Sequence, residues 1–219
     1  MIRHMKEERI VLKTNHHQSE GVLLIPAKEK KEGVILAHGA GSDMNSEFIS
    51  FFHERIAEAG YRCMKFNFPY SHNKKKVPDP QAVLQSIYRK AIEAISLDRV
   101  VIGGKSMGGR IASYVADAES VQGLLFLGYP LHPPGKPDQL RDQHLYTIRK
   151  PMLFISGTKD PFARQELLSK TLKNIGTYAS LHAIEGGGHS LEVPRKSGRS
   201  KDEVLSGAIQ AIVEWLKQL

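Results

Sequence analysis

The sequence predicts an α/β fold, in which a mostly parallel sheet of eight strands carries helices on both faces. From Gly33 onward, short apolar runs alternate with stretches whose apolar residues recur at helical spacing. Strands that alternate with helices argue for a parallel sheet covered on both sides. No repeat, low-complexity segment or linker divides the chain, so 1–219 is expected to be one domain.

Each element follows from local pattern. Arg9–Thr14 and Glu20–Ile25 read as two strands joined by polar Asn15–Ser19, which suits an antiparallel edge hairpin. Lys28–Glu32 is a charged turn before the buried strand Gly33–Ala37. Phe48–Ala59 has helical spacing and stops at Gly60. Tyr61–Phe68 reads as a strand. Asp79–Pro80 looks like a cap followed by a first-turn proline, opening a helix to Ser96. Val100–Ile102 is a strand that leads through a tight turn into a helix over Gly109–Ala116, and Val121–Leu127 is the next strand. The 128–150 segment is irregular and Pro-rich, and too short for a cap domain. Pro151–Ser156 is a strand followed by a helix over Pro161–Lys173. Ala179–Ile184 is the last strand, and Lys201–Leu219 a closing helix.

Composition narrows the function classes. The chain has 219 residues, 41% of them hydrophobic, with a net charge of +8 from 31 Lys plus Arg against 23 Asp plus Glu. The basic residues are dispersed. The dense groups, Lys74–Lys76 and Arg195, Lys196, Arg199 and Lys201, fall in loops without interleaved aromatics, so we expect solvated charge and no nucleic-acid partner. No apolar run approaches the ~20 residues of a membrane span, and the charged start Met1–Glu8 lacks the apolar centre of a secretion signal. The single cysteine, Cys63, sits in a strand pattern and is expected in the core, which fits a reducing, cytoplasmic setting. The 10 histidines form no helical H-x-x-x-H pair. Gly104-Lys105-Ser106 lacks the earlier glycine of a phosphate loop, because position 99 is Arg99. Gly39-Ala40-Gly41 lacks the third glycine of a dinucleotide loop, because position 44 is Met44. Neither metal nor cofactor is expected.

The chemistry concentrates at three strand ends. Gly104-Lys105-Ser106-Met107-Gly108 is a G-x-S-x-G pattern between a β-branched run and a helix. Such a turn exposes the central serine at the strand tip, beside the free N–H groups of a helix start. Downstream, Asp160 follows the strand Pro151–Ser156, and His189 follows the strand Ala179–Ile184. A serine hydroxyl is a poor nucleophile without a base in reach. A histidine serves as that base, and an aspartate fixes its tautomer. A His189 ring nitrogen is therefore expected about 2.6–3.2 Å from the Ser106 hydroxyl.

On these motifs the chain resembles the α/β-hydrolase superfamily, within it the small, capless dienelactone-hydrolase-like branch. Gly128–Pro137 and Gly157–Phe162 are similar to the KANL3/Tex30-like group of hydrolases. The resemblance implies Ser106, Asp160 and His189 as catalytic residues. It favours Asp160 over Asp117, Asp138, Asp142 and Glu185, because the acid of this fold follows the seventh strand. It also implies that His38–Gly41 is the oxyanion loop, donating an N–H from Ala40 or Gly41, with Met107 giving the other, and it makes His38 structural. Dienelactone hydrolases use cysteine where this chain has Ser106, so dienelactone chemistry is not expected.

His182 is expected to be structural. Asp43, Asn45 and Glu47 open a helix or line the pocket. Tyr129 and His132 start the 128–150 segment, which is either a stiffened surface loop or a pocket wall that contacts substrate. The expected activity is hydrolysis of a small-molecule carboxylic ester or related acyl bond, without a membrane or nucleic-acid partner, and with oligomeric state open. The rival reading is a catalytically silent interaction module of the same fold.

Overall fold

The computed structural model describes residues 5–219. The expectation that Met1 to His4 belong to no secretion signal lies outside the described residues. Among those described, eight strands form one sheet: β1 (Met5–Lys13), β2 (Gln18–Pro26), β3 (Gly33–Ala37), β4 (Arg62–Phe66), β5 (Val100–Lys105), β6 (Val121–Leu127), β7 (Met152–Gly157) and β8 (Ala179–Ile184). Their spatial order is β1-β2-β4-β3-β5-β6-β7-β8. The β1–β2 hairpin runs antiparallel at one edge, and β2 meets β4 antiparallel, with Gly21 opposite Phe66. From β4 to β8 every pairing is parallel.

Helices α1 (Glu47–Glu58), α2 (Pro69–His72), α3 (Gln81–Ala94), α4 (Met107–Ser113), α5 (Gln165–Ile175) and α6 (Lys201–Leu216) connect the strands. Side chains alternate across a strand, so each buried strand feeds two cores. Ile35, Ile102, Leu124, Phe126 and Phe154 pack on the α3, α4 and α5 side, with Ile87, Ile111 and Leu168. Val34, Leu36, Val101, Leu125 and Ile155 pack on the α1 and α6 side, with Phe52, Ile56 and Ile212. Each such side chain contributes about 1.5–3 kcal/mol on burial, so apolar runs without polar interruption are what a doubly covered sheet requires.

Several boundaries differ from the sequence expectation, and at α3 and α5 a side-chain hydrogen bond goes with the difference. α3 begins at Gln81 with Pro80 as N-cap. Asp79 does not cap it; its Oδ2 accepts from the Tyr70 amide at 2.7 Å and pins α2, a helix not expected from the sequence. α5 begins at Gln165, because the Asp160 side chain holds Phe162 in a turn through a 2.8 Å bond from its amide. α4 begins directly after Ser106 and ends at Ser113, and residues 114–117 continue as turns.

The 128–150 segment is irregular, with one 3-10 turn at Gln143–Thr147, and forms no cap domain. It folds down onto the molecule: Leu131 and Leu145 are fully buried, and the Arg141 amide donates to the Leu131 carbonyl at 2.8 Å. The carboxyl ends of β3, β5, β7 and β8 lead into the His38–Gly41 loop, Ser106, Asp160 and the His189 loop, at the edge where open α/β sheets bind ligands.

Candidate active site

Ser106 joins β5 to α4 with φ 50° and ψ −114°. That conformation costs a non-glycine residue about 1–3 kcal/mol and is held from both sides. The Ser106 amide donates to the Leu127 carbonyl at 3.1 Å, and its carbonyl accepts from the Arg110 amide at 3.1 Å. The turn presses against β3. A β-carbon on Gly104 or Gly108 would stand 2.1 or 2.4 Å from the Ala37 carbonyl oxygen, so neither position admits a side chain. This is why glycine flanks the serine on both sides.

His189 reaches Ser106 from the loop after β8. Its Nε2 lies 2.9 Å from the Ser106 Oγ, and its Nδ1 lies 2.8 Å from the Asp160 Oδ2. Asp160 is 3% exposed, and its other oxygen, Oδ1, accepts from the Phe162 amide. A carboxylate only accepts, so the imidazole donates from Nδ1 and turns the lone pair of Nε2 toward the serine. The Phe162 ring covers the imidazole at 4.3 Å between centroids.

The His38–Gly41 loop runs alongside. A β-carbon on Gly39 would sit 3.6 Å from the Ser106 Cβ. His38 is fully buried, and burial lowers its pKa. Its Nδ1 donates to the Gly39 carbonyl at 2.8 Å, while Nε2 accepts from the Phe68 amide at 3.1 Å. Both ring nitrogens are therefore occupied and His38 has no free base. Ala40 and Gly41 are exposed. The Met107 amide opens α4, where no intrahelical acceptor exists for it. Asn67 anchors the far end of the loop by accepting from the Met44 amide at 2.8 Å.

Tyr129 and His132, expected to contact substrate, are instead buried at 2% and 1% exposure. The Tyr129 hydroxyl donates to the Arg141 carbonyl at 2.8 Å. The His132 Nδ1 bonds the Pro133 carbonyl at 2.9 Å, and its Nε2 accepts from the Arg164 amide at 3.2 Å. Both side chains turn inward and anchor their segment.

The other acids point elsewhere: Asp117 pairs with Arg89 at 2.8 Å, and Asp142 accepts from Tyr146 and Thr171. Asp43 Oδ1 accepts from the Asn45 amide at 2.7 Å. Cys63 is fully buried, and burial pushes its thiol pKa up. Among the described residues, no group of three or more His, Cys, Asp or Glu is placed to hold a metal ion. A cleft of about 310 Å³ between β1, β2, β4 and α1 is lined by Glu20, Val22, His53 and Lys65, and none of Ser106, Asp160 and His189 lines it.

Sequence reasoning missed Lys105 and Gly128. The Lys105 Nζ donates to the His189 carbonyl at 2.6 Å. Gly128 has φ 69° and lies against the same carbonyl. The lysine stood inside the G-x-S-x-G motif and the glycine directly after a buried strand, but nothing local marks either as touching His189.

A family model described as an alpha/beta hydrolase domain matches residues 30–217. Among solved structures, the chain is similar to a dienelactone hydrolase from Anabaena variabilis, at 21% identity and a TM-score of 0.75, covering 98% of both chains. It is also similar to a CIB-like hydrolase from Thermoplasma acidophilum, at 17% identity and a TM-score of 0.74, covering 98% of this chain and 100% of that one. Est1E from Butyrivibrio proteoclasticus matches at 14% identity and a TM-score of 0.71, covering 96% and 98%. At such identities the structural likeness bears on the fold.

Proposed function

This chain belongs to the alpha/beta hydrolase domain family, and from that premise we propose that it is a serine hydrolase that cleaves a carboxylic ester or related acyl bond through an acyl-enzyme. The observation that carries the proposal is the unbroken line from Asp160 through His189 to Ser106, with bonds of 2.8 and 2.9 Å, at a strained strand–helix turn.

In this reading the Ser106 Oγ attacks the acyl carbonyl carbon as its proton passes to the His189 Nε2. The C–O bond to the serine forms, and the carbonyl oxygen becomes an oxyanion held by the Met107 amide and by that of Ala40 or Gly41. His189 then gives the proton to the leaving group as its bond breaks. A water then loses a proton to the same nitrogen and attacks the acyl carbon; the bond to the Ser106 Oγ breaks, that oxygen takes the proton back, and the acid is released. Asp160 holds the ring and stabilises the transient imidazolium.

We read 1–219 as one such domain, a reading that the match over residues 30–217 supports. Within the family we align it with the KANL3/Tex30-like branch on its 128–137 and 157–162 segments. The reading includes a small-molecule acyl substrate, a cytoplasmic setting, and no nucleic-acid or membrane partner. Among the described residues, no helix is long and apolar enough to cross a membrane.

A panel of p-nitrophenyl esters and acyl thioesters of graded chain length tests the activity. Turnover that disappears in Ser106→Ala is the expected result. No turnover together with no labelling of Ser106 by a fluorophosphonate would favour the silent interaction module.

A further inference from the structure

We infer that Lys105 is a positioning residue for His189: it ties the main chain of the candidate base to the strand that carries the candidate nucleophile. The inference rests on the reading of Ser106, Asp160 and His189 given above.

Lys105 is the last residue of β5 and directly precedes Ser106. Its side chain runs inward and the residue is 9% exposed. Lysine is almost never buried to this degree unless paired. Among the described residues, no carboxylate lies within ion-pair distance of Nζ. Its hydrogen-bond partner is the His189 carbonyl at 2.6 Å, the short length of a charge-assisted bond. The space around Nζ is built from separate elements. The Phe48 ring of α1 stands 5.6 Å from it, and a β-carbon on Gly128, after β6, would lie 3.1 Å away.

The His189 loop is also held to the chain after β7, where the Lys159 amide donates to the Gly187 carbonyl at 2.8 Å and the Gly186 amide to the Thr158 hydroxyl at 2.9 Å, and it is bonded within itself. The Gly188 amide donates to the Glu192 carbonyl at 2.8 Å, the Leu191 amide to the Gly188 carbonyl at 3.1 Å, and the Ser190 amide to the Glu192 carboxylate at 2.8 Å. These shape the loop and join it to the segment that carries Asp160, and none of them joins it to the strand that carries Ser106. The Lys105 bond spans from the strand carrying Ser106 to the backbone of His189. An ordinary buried residue here, Leu or Met, would avoid the cost of desolvating an ammonium and would leave the carbonyl unheld.

The charge on Lys105 is also conditional. Burial lowers its pKa to about 8, partly opposed by the Asp160 and Glu192 carboxylates that face it. Phe48 and Gly128, its neighbours from the other elements, bring no charge. Above that pH the ammonium becomes a neutral amine, a weaker donor, and the hold on His189 slackens. The acyl-transfer machinery would then lose rate on the alkaline side through a group that never touches substrate.

The test is the second-order rate at which a fluorophosphonate modifies Ser106 in the full-length chain, over about pH 6–9.5. This readout does not require the natural substrate. Wild type is expected to lose rate above about pH 8. Lys105→Met should be about tenfold to a hundredfold slower near neutrality, the scale of a sub-ångström misplacement of a catalytic group. It should also lack the alkaline decline. Lys105→Arg, charged throughout, should recover part of the rate and also lack the decline. Lys105→Met with the rate and alkaline limb of wild type overturns the inference. So does loss of folding in Lys105→Met and Lys105→Gln alike, which would make the lysine a structural residue only. Failure of wild type to be labelled at Ser106 overturns the serine-hydrolase reading first, and this inference with it.

Discussion

A β-carbon on Gly128 would stand 2.5 Å from the carbonyl oxygen of His189, so the chain after β6 and the loop after β8 touch backbone to backbone. Gly128 also has φ 69°. Gly128→Ala should therefore push the His189 loop away and lose about 1–3 kcal/mol of stability. Thermal melting should report the second effect, and slower labelling of Ser106 the first. An unchanged labelling rate would show that the loop position tolerates the displacement.

A fluorophosphonate should modify a single serine. Ser106 alone is placed 2.9 Å from the His189 Nε2. Peptide mapping by mass spectrometry should find the adduct there, and Ser106→Ala should abolish it while leaving the circular dichroism spectrum intact. An adduct on another serine would end the assignment.

Asp160→Asn should lower kcat/KM by about four orders of magnitude without unfolding the chain. The reason is local. The Phe162 amide demands an acceptor at the Oδ1 position. The asparagine must then turn its NH2 toward the His189 Nδ1, and the imidazole proton moves to Nε2. A protonated Nε2 cannot take the proton of Ser106. Wild-type activity in this variant would transfer the acid role to Glu185 or remove it altogether.

His53 predicts an acid limit to stability. It is 1% exposed in α1, donates from Nε2 to the Cys63 carbonyl at 3.0 Å, and burial lowers its pKa to about 4. Between the ordinary value of 6.5 and about 4, the unfolded chain binds a proton that the folded chain refuses. Stability from this group is fully present above pH 6.5 and lost as pH falls toward 4. The loss is about 3 kcal/mol when complete. Urea midpoints measured at neutral and acid pH should show it. His53→Gln keeps a donor without the titration and should flatten the slope. Equal slopes in the two proteins would exonerate His53.

Much of this fold was legible because its strands are short runs rich in apolar residues, set between helical patterns. β3, β6 and β8 have the bounds expected from their sequences. The order Ser, Asp, His and its placement at strand ends could also be read, and the structure brings those three side chains within hydrogen-bond distance. What could not be read depends on partners distant in sequence. Asp79 looks like a helix cap until the Tyr70 amide claims it. Tyr129 and His132 stand at the right point in the chain, but the direction in which a loop folds is a tertiary matter, and they turn inward. Lys105 resembles any strand-end lysine, and its partner lies 84 positions away.

The left-handed backbone of Ser106 sets durability against reactivity at one residue. Glycine accepts φ 50° freely, whereas Ser106→Ala keeps the strain. Ser106→Gly should thus recover about 1–3 kcal/mol of strain, less roughly 0.5–1 kcal/mol for its freer unfolded chain, and melt above Ser106→Ala. A library screened for heat resistance alone should accumulate glycine at position 106, and its most robust members would be those that can no longer form an acyl-enzyme.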